Sequence, residues 1–110
     1  MRITTMPPSV NATYRTTRNG GIYKKPEVKE AMEAIAWEMR AQHIGPPMKG
    51  ALSVSIEVTF KGRRRHDIDN ILKQLFDAGT GILWEDDNQI EELHVKKYIG
   101  EKEGIELNFS

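Results

Sequence analysis

Cysteine is absent from the 110 residues, which removes disulfide frameworks, thiolate zinc sites and cysteine nucleophiles together and suits a reducing cytoplasm. Aromatic residues are scarce, with two Trp, three Tyr and three Phe, so the core has to be small and mostly aliphatic. No apolar run approaches the roughly 20 residues that cross a bilayer, and Met1 to Met6 lacks the apolar stretch of a secretory signal. A cytoplasmic protein with no membrane contact and no organic cofactor is expected. Net charge is missing too, since sixteen Lys and Arg balance sixteen Asp and Glu.

What is present is a division of that charge. Residues 1–65 hold 12 basic and 5 acidic side chains, whereas residues 66–110 hold 4 basic and 11 acidic. At the switch, Arg63-Arg64-Arg65 runs straight into Asp67-Ile68-Asp69. A polyanion drawn to the arginines would be repelled by the carboxylates unless cations sit between them, which is the layout of a metal-dependent nuclease. The same residues also suit a solvated loop beside a salt-bridged helix.

The length allows one domain over residues 1–110. Arg2 to Met6 reads as a short strand ended by Pro7-Pro8. Ser9 to Lys25 is basic and aromatic with little periodicity, and is expected to be a mobile surface loop over residues 9–25. Pro26 suits a first helical turn, and Val28, Met32, Ile35, Ala36 and Met39 recur at helical spacing before a break at Pro46-Pro47. Leu52, Val54, Ile56, Val58 and Phe60 then alternate with polar residues, the period of a half-buried strand. Asp67 or Asp69 can cap a second helix with Ile68, Ile71, Leu72, Leu75 and Phe76 as its buried stripe, stopped at Gly79-Thr80-Gly81. Residues 88–99 read as a strand with Leu93, Val95 and Ile99 on one face, turning through 100–104 into a last strand with Ile105, Leu107 and Phe109. The expectation is an α+β (mixed α/β) domain, one small mixed sheet with two helices packed on it.

Asp67 and Asp69 are two residues apart and can point to a common site from a non-helical cap, while Asp69, Lys73 and Asp77 share one helical face. If the chain reverses at Gly79 to Gly81, a carboxylate of Glu85-Asp86-Asp87 returns to complete a three-carboxylate site suited to Mg²⁺. Lys73 would add a fixed positive charge towards a phosphate. An EF-hand is excluded, because Ile71 and Leu72 follow where its sharp glycine turn is needed.

The run Gly62-Arg63-Arg64-Arg65-His66-Asp67-Ile68-Asp69-Asn70-Ile71-Leu72-Lys73, then Phe76-Asp77-Ala78, then Glu85-Asp86-Asp87-Asn88-Gln89-Ile90, resembles the RusA family of Holliday junction resolvases. Pro8-Ser9-Val10-Asn11 and Tyr14-Arg15 are similar to the P-x-x-N-x-x-Y pattern that opens family members, so the likeness covers nearly the whole chain. It implies a Mg²⁺-dependent endonuclease, with Mn²⁺ as a possible substitute, acting as a homodimer on branched four-way DNA. Asp67, Asp69 and Asp87 match the catalytic, metal-binding carboxylates and Lys73 the essential lysine, while Asp86 and Asp77 match further motif positions. Asn11, Tyr14, Arg15, Arg18, Lys24, Lys25, Arg63, Arg64 and Arg65 are then candidate DNA contacts. A rival from another class is a non-catalytic branched-DNA-binding module, in which the carboxylates only shape the surface.

Overall fold

The computed structural model describes residues 1–8, 14–16, 22–24, 26–62 and 68–110. Its spine is β4 (Leu52–Lys61), where alternation is carried through in full: Leu52, Val54, Ile56, Val58 and Phe60 are buried, and Ser55, Glu57 and Lys61 are exposed. Two neighbours flank this strand. β6 (Gly104–Phe109) pairs antiparallel to it, with Val54 opposite Phe109 and Val58 opposite Ile105. β5 (Ile90–Gly100) pairs parallel to it, with Val54 beside Leu93 and Phe60 beside Ile99. β1 (Arg2–Ile3) adds to the outer side of β6, giving the order β1-β6-β4-β5.

One face of the sheet is closed by α1 (Pro26–Gln42) and α2 (Asp69–Gly79). Ile35 and Met39 of α1 and Ile71, Leu75 and Ala78 of α2 join Ile3, Val54, Ile56, Val58, Ile105 and Leu107 in one core. Val28 is buried as the helical spacing requires, while Met32, Ala36, Leu72 and Phe76 are half-buried at the margin. Trp84, after α2, is fully buried and meets Phe76 and Phe109 edge-on at ring distances of 6.2 and 5.8 Å. The scarce aromatics thus close one corner of an aliphatic core.

Three local expectations change. The first strand is two residues long, because Glu38 of α1 takes over the next backbone donors: its carboxylate accepts from Thr4 N at 2.8 Å and from Thr5 N at 3.1 Å. The segment expected to be a loop contains two short strands, β2 (Tyr14–Thr16) and β3 (Ile22–Lys24), paired antiparallel with Arg15 opposite Tyr23. Lastly, β5 and β6 do not form a hairpin. After residues 101–103 the chain passes to the far side of β4, where Ile105 and Leu107 are fully buried.

Candidate active site

The charged side of α2 follows from its period. With Ile71 and Leu75 turned inwards, Asp69, Lys73 and Asp77 are left exposed, and Lys73 Nζ lies 3.2 Å from Asp77 Oδ2. At i, i+4 and well exposed, that pair contributes only about 0.2–0.5 kcal/mol, so it orients the lysine more than it stabilises the helix. Asp67 lies outside the described residues; Ile68, already helical in its backbone, makes no capping side-chain hydrogen bond, and Asp69 is the first helical residue. A carboxylate there faces the positive end of the helix dipole.

The second half of the site is a single 3-10 turn, Asp87–Gln89, leading into β5. Asp86 caps it. Its Oδ1 accepts from Asn88 N at 3.0 Å while Gln89 Oε1 accepts from Asp86 N at 2.8 Å, a reciprocal capping box. Gln89 Nε2 donates to the carbonyls of Met48 and Gly50, both at 2.9 Å, which ties the turn to the loop before β4. Adjacent aspartates therefore have different duties. Asp86 holds the turn, and Asp87 is the one next to α2.

Electrostatics supports that placement. The Asp87 carboxyl is pushed above its ordinary value, first by partial burial, then by a side-chain hydrogen bond with Asp86 and by the negative charges of Asp86 and Asp77; Lys73 opposes the rise. Asp87, Asp77 and Lys73 thus sense one another across the gap between turn and helix. Asp69 stands eight residues before Asp77, about 12 Å up the same helix.

The remaining candidates are placed unevenly. Asp67, Arg63, Arg64 and Arg65, like Asn11, Arg18 and Lys25, lie outside the described residues. Tyr14, Arg15 and Lys24 belong to β2 and β3, with Tyr14 opposite Lys24. Among the described residues no three His, Asp or Glu side chains form a group that could hold a metal ion. The donors that are described do suit a hard cation: they are all carboxylate oxygens, and the like-charge repulsion on Asp87 is of the kind a bound cation relieves.

Sequence reasoning missed two features. The role of Gln89 was visible in the Asp86-x-x-Gln89 spacing, which is that of a capping box. Trp37 was visible as a large aromatic off the apolar stripe of α1. It is 68% exposed, with the Arg40 guanidinium 5.6 Å above its ring, and both line a groove that Asp77 and Thr80 border from the other side.

Comparison with known proteins bears on all of these residues. The family described as Endodeoxyribonuclease RusA matches residues 5–109. A crossover junction endodeoxyribonuclease RusA of Aquifex aeolicus (strain VF5) is 37% identical over 95 residues, covering 84% of this chain and 75% of that protein. The proteins of the same name from Enterobacteria phage 82 and Escherichia coli (strain K12) are each 31% identical over 106 residues, covering 94% of this chain and 88% of theirs.

Proposed function

The chain belongs to the RusA family of endodeoxyribonucleases, and from that premise we propose that it resolves four-way DNA junctions as a Mg²⁺-dependent homodimer. It is a nuclease that hydrolyses phosphodiester bonds, and its relatives are crossover junction enzymes by name. The observation that carries the chemical reading is the approach of Asp87 to the Lys73–Asp77 pair, which joins two distant motifs of the sequence at one surface.

Asp67, Asp69 and Asp87 would hold Mg²⁺, or Mn²⁺ in its place, with Asp77 and Asp86 beside them. When bound, the ion supplies Lewis acidity towards a water and the scissile phosphate. Lys73 brings a positive charge to the developing negative charge of the phosphate, and Asp77 holds that ammonium in position. Asp86 keeps Asp87 at the helix by fixing the turn from which it projects. Arg15, Arg18, Lys24, Lys25, Arg63, Arg64 and Arg65, with Asn11 and Tyr14, contact the DNA backbone, so binding weakens steeply with salt. A C2 dimer presents two equivalent sites to a junction that is itself close to two-fold symmetric.

The test compares a labelled four-way junction with its matched linear duplex, each with Mg²⁺ and with chelator. Paired symmetric nicks on the junction, absent with chelator and with Asp87→Asn, are expected. Tight junction binding with no cut under any divalent ion would replace this reading with the binding-module one.

A further inference from the structure

Along one margin the sheet is unfinished. The eleven residues of β5 pair with β4 on one side and with no other described strand. Their parallel register puts Leu93, Val95 and Ile99 beside Val54, Ile56 and Phe60, on the face that carries the helices. Val54 and Ile56 are fully buried and Phe60 is 5% exposed, yet Leu93 is 41% exposed and Ile99 52%. Val95 packs half-buried against the core, but the two helices stop short of covering Leu93 and Ile99 and leave them in water. An edge of this length with unpaired backbone groups is a template for another strand.

The charge order along β5 selects the occupant. Glu91 and Glu92 lie in its first half, Lys96 and Lys97 in its second, around His94. A second copy of the same strand, run antiparallel, is therefore its electrostatic complement. We propose that two copies of this chain pair through β5 in that way, with His94 on the two-fold axis. This deepens the homodimer part of the function proposed above and rests on it.

The register is specific. With the axis at His94, Glu92 faces the partner's Lys96, Glu91 faces the partner's Lys97, and Leu93 faces the partner's Val95, each set on one face of the sheet. Two-fold symmetry repeats every pair, giving four opposite-charge pairs and a seam of four apolar side chains. Moving the axis to Val95 sets Leu93 against the partner's Lys97, and moving it to Leu93 sets Glu91 against the partner's Val95; neither keeps a charge pair. An odd slip would turn apolar residues to the wrong face. Some of these side chains are already ordered within the strand, since Ser53 Oγ donates to Glu92 at 3.3 Å and Lys96 lies 5.3 Å over the Tyr98 ring. The product is a continuous eight-stranded sheet with both α2 helices on the same side, so both sites face one substrate.

Charge reversal tests this. Wild-type protein is expected to sediment at twice its 12.6 kDa chain mass. Glu91→Lys with Glu92→Lys creates four like-charge pairs per dimer and should weaken association on the order of 100-fold; Lys96→Glu with Lys97→Glu should do the same. The variant with all four changes is again self-complementary and should regain the dimer, a result that misfolding cannot produce. A wild-type dimer that withstands both reversals, or four changes that fail to restore it, would overturn the β5 interface and leave the homodimer standing. A wild-type monomer at concentrations where the junction is cut in pairs would overturn both.

Discussion

The indole of Trp84 lies directly against the α-carbon of Gly79: a Cβ built on that glycine would stand 2.8 Å from Cζ2 of the ring. Gly79 also closes the turn that follows, accepting at its carbonyl from Ile82 N at 3.0 Å and Leu83 N at 2.8 Å. The last helical residue is thus a glycine because a fully buried indole occupies the space of its side chain, not because its backbone needs a left-handed conformation.

Gly79→Ala should therefore destabilise the protein by about 1–3 kcal/mol, the range for overpacking a filled core, although alanine is the better helix former. Chemical denaturation monitored by far-ultraviolet circular dichroism reads it. A neutral or stabilising alanine would contradict the packing described here.

Asp86 and Asp87 should separate stability from catalysis. Asp86→Ala removes the cap of the 3-10 turn and is expected to cost about 1 kcal/mol, with cleavage reduced only as far as the turn loosens. Asp87→Asn removes a charge that Asp86 and Asp77 repel, so in chelator its melting temperature should equal or exceed that of the wild type while cleavage is lost. Melting curves and junction cleavage measured on the same preparations decide it.

Lys73 and Asp69 should affect turnover far more than binding. Lys73→Gln and Asp69→Asn are each expected to lower the junction cleavage rate by about 100-fold or more, with junction affinity held within a few-fold, since the phosphate contacts proposed above are other residues. Single-turnover cleavage and gel-shift titration, side by side, check both parts.

Glu38 gives stability a pH dependence of known sign. Burial opposes its ionisation, but hydrogen bonds from the Thr4 hydroxyl and from the Thr4 and Thr5 amides outweigh that and hold its carboxyl below the ordinary 4.5. A depressed carboxyl contributes stability above the unfolded value and loses it as pH falls through the native one. Glu38→Gln should therefore lower stability by about 1 kcal/mol near neutrality, and the difference should shrink as the pH drops below 4.5. Denaturation midpoints from pH 7 to pH 3 would show the two curves converging.

How far the sequence could be read depended on range. The strict alternation of β4 and the helical stripes of α1 and α2 are local, and they appear where their periods put them. The place of β6 is not local: Ile105 and Leu107 would look the same in a hairpin with β5 as in their actual seat beyond β4. Of the two aspartates that resemble caps, Asp69 falls inside the helix, after Ile68, and Asp67 lies outside the described residues. At the site, the motifs carrying Lys73, Asp77 and Asp87 were legible, as was the Asp86-x-x-Gln89 spacing, but that Asp87 rather than Asp86 lies beside α2 follows only from the folded turn.

The seat of β6 has a consequence for how the chain acquires its shape. The unit β4–α2–β5 can close on local information, since its strands are joined by one crossover. β6, which follows β4 and β5 in chain order, must then enter between β1 and β4, so a middle strand of the sheet is made after both of its neighbours. Until it does, β4 presents an unpaired backbone edge and the core lacks Ile105 and Leu107. Insertion of residues 104–109 is therefore expected to be the slow, aggregation-exposed step of folding, and weakening Ile105 or Leu107 should lower the yield of native protein by more than the loss of equilibrium stability accounts for.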